Sequence, residues 1–245
     1  MGTYSEGHRG CGRRMADLTA KAGDRRIPNK VTEAALILKA PRVGEVKTRL
    51  ARSIGAERAA RIYRALVEHQ LAQIPTNWRT VIHFAPSDAE AEMRTWLERF
   101  PLNPPDFVPQ PNGDLGSRLI SAMNHGFASG ADFVFFLGGD CPGLTCSYLE
   151  EAEAALVETD MIIASARDGG YVLLGLRKPM ASIFEGIQWS SETVFAATLR
   201  IAIAAGLSFR CLQPLEDVDD LESYARQCAK VRNLAEMDDG AAGVN

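Results

Sequence analysis

Short apolar runs separated by segments of helical periodicity recur along the chain. This alternation constrains the fold more than any other feature of the sequence. The strongest run is Asp132–Leu137 (DFVFFL), which leads directly into Gly138, Gly139, Asp140, Cys141 and Pro142. Its unbroken apolarity is that of a strand covered on both faces, as in a parallel sheet. Further strand-like runs lie at Ala34–Lys39, Thr80–Phe84, Met161–Ala166, Tyr171–Leu176 and Ser208–Leu212, with a short candidate at Phe107–Val108 inside the proline-rich stretch Pro101–Pro111. Between them, helices are expected at Ala56–Ile74, Ala89–Phe100, Leu115–Ala128, Ser147–Val157, Ser191–Ala205 and Asp220–Ala229. In the first of these, Ile62, Tyr63, Leu66, Val67, Leu71 and Ile74 make one apolar face, and Pro75 ends it. Strands that alternate with helices predict an α/β sandwich around a mainly parallel sheet.

A chain of 245 residues, 46% apolar, is long enough for one large core. No linker or repeat divides it. Residues 31–237 read as a single domain, preceded by a flexible extension over residues 1–30 and followed by a tail, 238–245. The formal net charge is −4, which excludes the broad basic field of a general nucleic-acid binder. Five cysteines occur without CxxC spacing, so neither structural zinc nor a disulfide framework is expected. Residues 1–30 hold no signal-peptide apolar core and no run has the length of a membrane span, so the expected location is the cytoplasm. Association into a homo-oligomer stays open.

Against this acidic background the segment Lys39–Leu50 (KAPRVGEVKTRL) stands out. Lys39, Arg42, Lys47 and Arg49 crowd one connection between a strand and a helix. Such a loop suits a small polyanion, a di- or triphosphate, and its plainer reading is a solvated basic turn. In open α/β sheets ligands bind beyond the carboxyl ends of the strands. That rule also selects Gly138–Gly143, Asp168–Tyr171 and Glu216–Asp220. Asp140, beside two glycines at a strand end, fits a magnesium ligand or a turn residue. Asp168-Gly169-Gly170 fits a simple turn, or a carboxylate beside a backbone that a ligand can approach. Helix capping alone explains Asp219 and Asp220, and the sharper reading of the cluster Glu216, Asp217, Asp219 and Asp220 is a second metal-binding carboxylate. The stretch Gln110–Arg118 (QPNGDLGSR) reads as a loop that closes on a ligand or as a capped helix start. His69, His83 and His125 fall within helices and strands and are expected to be structural, with no histidine cluster that points to zinc. P-loop, dinucleotide-fingerprint and nucleophile-elbow motifs do not occur.

Six segments occur in an order that resembles the DUF2064 family: KAPRVGEVKTRLA, NGDLGSRL, FFLGGDCPGL, ARDGGYVLLGL, IQWSSETV and LEDVDDLE. Together they span about Ala34 to Tyr224. Members of that family are filed as glycosyltransferase A-type proteins, some as arsenosugar-biosynthesis glycosyltransferases, within the nucleotide-diphospho-sugar transferase superfamily. The resemblance implies a three-layer sandwich with a mainly parallel mixed sheet. It implies that Lys39, Arg42 and Lys47 hold phosphates, that Arg49 anchors the loop, and that Gly113, Asp114 and Gly116 line the nucleotide site. Asp140 would bind Mg2+ or Mn2+, completed by Asp217 or Asp219. Gly169, Gly170, Trp189, Ser190 and Glu192 would face the acceptor, and Lys47, Asp140 and Asp168 would carry catalysis.

One departure divides the reading. Many A-type glycosyltransferases carry Asp-x-Asp at the metal strand, whereas this chain has one carboxylate in Gly138-Gly139-Asp140-Cys141-Pro142. That pattern is similar to nucleotidyltransferases. The leading expectation is glycosyl transfer from a sugar nucleotide to a small acceptor. The alternatives are nucleotidyl transfer from a nucleoside triphosphate with release of pyrophosphate, and nucleotide binding without catalysis.

Overall fold

The structure, a computed structural model, describes residues 29–98 and 105–231. The expectations for residues 1–28, for the helix end at Phe100 and the start of the proline-rich loop, and for the tail from Asp238 lie outside the described residues.

In chain order the elements are β1 (Thr32–Lys39), α1 (Thr48–Ile54), α2 (Ala56–Gln73), β2 (Arg79–Ala85), α3 (Glu90–Leu97), β3 (Asp106–Pro109), α4 (Leu115–Ala128), β4 (Phe133–Leu137), α5 (Cys146–Glu158), β5 (Met161–Ser165), β6 (Tyr171–Leu176), α6 (Val194–Ala204), β7 (Phe209–Cys211) and α7 (Leu221–Gln227). The strands form one seven-stranded sheet in the order β3-β2-β1-β4-β6-β5-β7. β6 runs antiparallel to both β4 and β5, and the other neighbouring pairs are parallel. The antiparallel β5–β6 pair needs only the short Asp168–Gly170 turn, while longer segments separate the strands of the other neighbouring pairs.

Alternation along β1 builds the two faces. Ala34, Leu36 and Leu38 join one core cluster with Tyr63 and Val67 of α2, Met93 and Trp96 of α3, and Leu149 and Leu156 of α5. Ala35 joins the other with Leu119 and Met123 of α4 and Ala202 of α6. The result is the expected three-layer α/β sandwich. A smaller cluster, holding Leu50, Ile62, Leu66, Val218 and Tyr224, packs α1, α2 and α7 together at one end.

Two boundaries depart from the periodicity. The basic loop leads first into α1, a seven-residue helix that Gly55 (φ 86) separates from α2. α6 starts at Val194 rather than Ser191, because the Ser191 hydroxyl bonds to the Gln188 carbonyl and the Thr193 hydroxyl and so holds a turn there. Among the described residues no helix is long and apolar enough to cross a membrane.

Candidate active site

The chain leaves β4 through Gly138 and Gly139 and turns at Asp140. A Cβ on Gly139 would lie 2.5 Å from Val67 Cγ2 and 2.9 Å from Leu38 Cδ2, so only glycine lets the backbone press against α2 here. This close approach fixes Asp140 at the C-terminal edge of the sheet. The adjoining Cys141 is buried, and burial pushes its thiol up to about 12, which makes it an inert neighbour.

The second half of the site arrives from far along the chain. Val218 is fully buried among Leu50 and Tyr224, and its N–H donates to the Asp140 carbonyl at 2.9 Å. That anchor brings the flanking Asp217 and Asp219 to Asp140. One carboxylate oxygen from each of Asp140, Asp217 and Asp219 lies within 4.8 Å of the others. The clustering has an electrostatic cost. Burial and the charges of Asp140, Asp219 and Asp168 push Asp217 up to about 7. Asp220 does separate work as the N-cap of α7, accepting the Ser223 N–H at 2.8 Å in a capping box. The acidic run thus divides: Asp220 caps, while Asp217 and Asp219 join Asp140.

Lys47 bridges two members of this group, Asp140 and Asp219. Its Nζ donates to Asp140 Oδ2 at 2.7 Å and to Asp219 Oδ1 at 3.0 Å, with only 6% of its side chain exposed. Burial alone would lower the ammonium pKa, but the two carboxylates carry it above the ordinary lysine value. Its backbone is left-handed (φ 46), an uncommon state for a non-glycine residue. The sequence placed Lys47 in an open basic loop. The structure instead buries it, because Asp140 and Asp219 compensate its charge.

The other loop cations separate. Lys39 and Arg49 line the cleft of about 310 Å³ beside Asp140 and Asp219. Arg49 is exposed and sits 3.8 Å from Asp219. Arg42 faces elsewhere, donating to Glu92 at 3.1 Å and Asp88 at 3.3 Å on the α3 side. Tyr63 was read only as a core position, yet its hydroxyl accepts from Lys39 N–H and donates to Lys39 C=O, both at 3.0 Å, which fixes the end of β1 at the cleft wall.

A second cavity of about 400 Å³ shares Arg49 and Asp219 with the first. Asp168, Gly170, Trp189, Ser190 and Glu192, five of the residues expected here, line it together with Tyr171. Gly169 holds φ 90, and a Cβ there would collide with the Glu192 backbone, so the turn and the Trp189–Glu192 segment interlock only through glycine. Asp168 Oδ1 accepts the Gly170 N–H at 2.9 Å. Sequence reasoning selects Tyr171 only as the end of the Asp168–Tyr171 loop, with no role of its own; its buried hydroxyl has no partner and its ring meets Trp189 edge-on at 6.5 Å. An aromatic first residue after an Asp-Gly-Gly turn was the available signal.

The Gln110–Arg118 stretch divides as well. Asp114 is the N-cap of α4, accepting from Ser117 N at 2.8 Å, and Gly113 (φ 127) is the turn before it. Gly116 gives room to a neighbour: a Cβ there would lie 2.8 Å from Trp189 Nε1. Gln110, Asn112 and Arg118 line a further cavity of about 480 Å³ that adjoins Lys39. Gln110 is buried and locked by bonds from its Nε2 to Leu38 O and His83 O.

Three carboxylates form an oxygen-only donor set of the kind hard divalent cations take. Burial first, and then the neighbouring carboxylate charges, raise Asp217, and such a cation would offset both, so the residues fit Mg2+ or Mn2+.

A sheet with this strand order, with acidic and basic groups gathered at its C-terminal edge, defines the nucleotide-diphospho-sugar transferase fold. A crystal structure from Desulfovibrio desulfuricans G20, provisionally described as a nucleotide-diphospho-sugar transferase, superposes with a TM-score of 0.78 at 29% identity, covering 86% of this chain and 96% of that one. The 4-diphosphocytidyl-2C-methyl-D-erythritol synthase of Anaerococcus prevotii DSM 20548 shares the fold at a TM-score of 0.56 and 10% identity, over 80% and 96% of the two chains. The inositol-1-phosphate CTP transferase of T. maritima does so at 0.54 and 11%, over 86% and 97%. No curated protein matches the sequence. Residues 69–191 match the family model described as "Uncharacterized protein conserved in bacteria (DUF2064)", and the chain belongs to that family.

Proposed function

We propose that the chain is a divalent-metal-dependent glycosyltransferase that takes a nucleotide-diphosphate sugar as donor and a small molecule as acceptor. The observation that carries this is the convergence of Asp140, Asp217 and Asp219 next to a cleft that shares Arg49 and Asp219 with the Asp168–Trp189 cavity. Asp140, Asp217 and Asp219 would hold Mg2+ or Mn2+, which when bound supplies positive charge to the diphosphate. Lys39 and Arg49 bind phosphate oxygens from the cleft wall, and the cavity beside Gln110, Asn112 and Arg118 takes the nucleoside. Trp189, its ring edge-on to Tyr171, gives the sugar and acceptor an apolar surface at the second cavity. Asp168, exposed at the mouth of the second cavity, takes the proton of the acceptor hydroxyl as its oxygen bonds to the anomeric carbon and the nucleoside diphosphate departs. Fixed cations beside that leaving group favour the transition state over the ground state.

The loop cations support this choice. Four loop cations suit a di- or triphosphate, but Arg42 is committed to Asp88 and Glu92, which leaves Lys39, Lys47 and Arg49 at the cleft. Nucleotidyl transfer is the second reading, favoured by carboxylates that come from two separate segments instead of one Asp-x-Asp. A panel of sugar nucleotides and nucleoside triphosphates with Mg2+, read by thermal shift and by release of nucleoside diphosphate or pyrophosphate, separates the two. Stabilisation by sugar nucleotides with slow diphosphate release is expected. Response to triphosphates alone would sink glycosyl transfer, and binding without turnover by any donor would leave a nucleotide sensor.

A further inference from the structure

Three titratable side chains from distant segments meet on the α4 face of the sheet, near the start of β1. Glu33 is the second residue of β1, His83 lies within β2, and His125 belongs to the last turn of α4. Glu33 and His83 are 0% and 1% exposed. Glu33 Oε1, His83 Nε2 and His125 Nδ1 are each buried without a hydrogen-bond partner. One ligand atom from each of the three residues lies within 4.8 Å of the others. Buried polar atoms are nearly always paired, so three orphans facing one another point to a missing common partner. We propose that Glu33 Oε1, His83 Nε2 and His125 Nδ1 form a second, buried site for a zinc-class divalent cation that ties β1, β2 and α4 together.

The surroundings are built for it. Arg79 donates from Nε and Nη2 to Glu33 Oε2, and from Nη1 to Ser129 O at 2.9 Å. This clamps one carboxylate oxygen and leaves the other facing the imidazoles, the outer-shell support that ligating carboxylates have. Gly126 makes the room: a Cβ there would lie 2.7 Å from Glu33 Oε1. The two imidazoles stand edge to face with centroids 5.6 Å apart, and an ion would draw the ring nitrogens inward from their present separation of up to 4.8 Å. Burial, with His125 alongside, pushes His83 down to about 4, so its lone pair is free at neutral pH. The carbonyl end of α4 adds partial negative charge. Two imidazoles and a carboxylate suit zinc better than magnesium, and a water would complete four-coordination. The site is distinct from the Asp140 group, whose donors are all carboxylates.

The test uses the full chain, stripped with chelator and then titrated with Zn2+ or Co2+ in excess Mg2+. Expected are about one tightly held zinc per chain by elemental analysis and visible Co2+ bands of a histidine-containing site. His125→Gln should weaken Zn2+ at least about 100-fold, while Asp140→Asn leaves it unchanged. His125 is only partly buried, and the metal-free melting temperature of its variant checks that the fold survives. Wild-type protein that retains no zinc and gives no Co2+ bands would overturn the proposal, leaving the trio around a buried water. So would zinc lost in Asp140→Asn and kept in His125→Gln. If His125→Gln does not fold, the wild-type stoichiometry and the Asp140→Asn result still decide.

Discussion

Lys47 and Asp217 respond to the same crowding of carboxylates in opposite ways. Lys47 keeps its proton because two carboxylates hold it, and Asp217 is driven toward keeping its own first by burial and then by the nearby charges of Asp140 and Asp219. The sequence exposed the residue types but not this pairing, since Lys47 and Asp219 are 172 positions apart. A sign follows for pH. The Asp217 pKa is raised from 3.8 to about 7, so its protonated form adds stability that is full below about 4 and is lost as pH rises through about 7. Metal binding runs the other way, because the cation must displace that proton. Metal-free protein should therefore lose stability between pH 5 and 8, whereas the stabilisation by Mg2+ should grow over the same range. Urea midpoints with and without Mg2+ check both slopes, and Asp217→Asn should flatten them. A Mg2+ effect that does not vary with pH in the wild type would remove Asp217 from the metal site. Lys47→Met is expected to cost metal-free protein about 1–3 kcal/mol, because it strands two partly exposed carboxylates, with much of the loss recovered in Mg2+.

At the scale of elements, legibility followed how local the determinant was. α4 begins and ends where the sequence placed it, because its cap, Asp114 with Ser117, lies within one turn. α1 was missed because seven residues carry too little periodicity, and its single buried residue, Leu50, is held by α2 and α7 rather than by its own sequence. The edge strand β7 shows a determinant of intermediate range. Asp160, just before β5, accepts from Ser208 N at 3.0 Å and Ser208 Oγ at 2.8 Å and pairs with Lys178 at 3.0 Å. Hydrogen bonds from the Ser208 side chain come first among the causes that hold its carboxyl down at about 2. A depressed carboxyl stabilises above its unfolded value and loses that contribution as pH falls toward the folded one. Asp160→Ala should thus cost about 1–2 kcal/mol at pH 7, with the penalty shrinking between about pH 4 and 2, where both proteins approach equal stability. Denaturant midpoints for the two proteins across that range are the measurement. A penalty that persists at pH 2 would mean that Asp160 acts through packing rather than charge.

The whole molecule gathers its charged chemistry at one sheet edge, and the strand order decides what meets there. β1 and β4 are neighbours, which sets the basic loop beside Asp140. Placing β6 between β4 and β5 then brings the Asp168 turn close and returns the chain after β7 to Asp217. Alternation in the sequence was enough for the class of fold and for which loops lie at the carboxyl edge. It was not enough for the antiparallel step, for the turn of Arg42 toward α3, or for the meeting of Glu33, His83 and His125, because each depends on lateral strand order. The geometry gives one property of the whole chain. The carboxylate group and the cleft proposed to hold the nucleotide share Asp140 and Asp219 and adjoin at Lys47, so metal and donor should stabilise the fold together rather than additively. Ligand at 100 times its dissociation constant adds about 2.7 kcal/mol, which for a chain of this size is a rise of roughly 5–10 °C in melting temperature. With a saturating sugar nucleotide and Mg2+ together, that rise is expected. It should fall to a small fraction with either ligand alone and vanish for the pair in Asp140→Asn, since the nucleotide phosphates would then lack the cation that Asp140 helps to hold. Calorimetric scans of the two proteins under the four ligand conditions measure it, and equal shifts with and without Mg2+ would separate the cleft from the carboxylates.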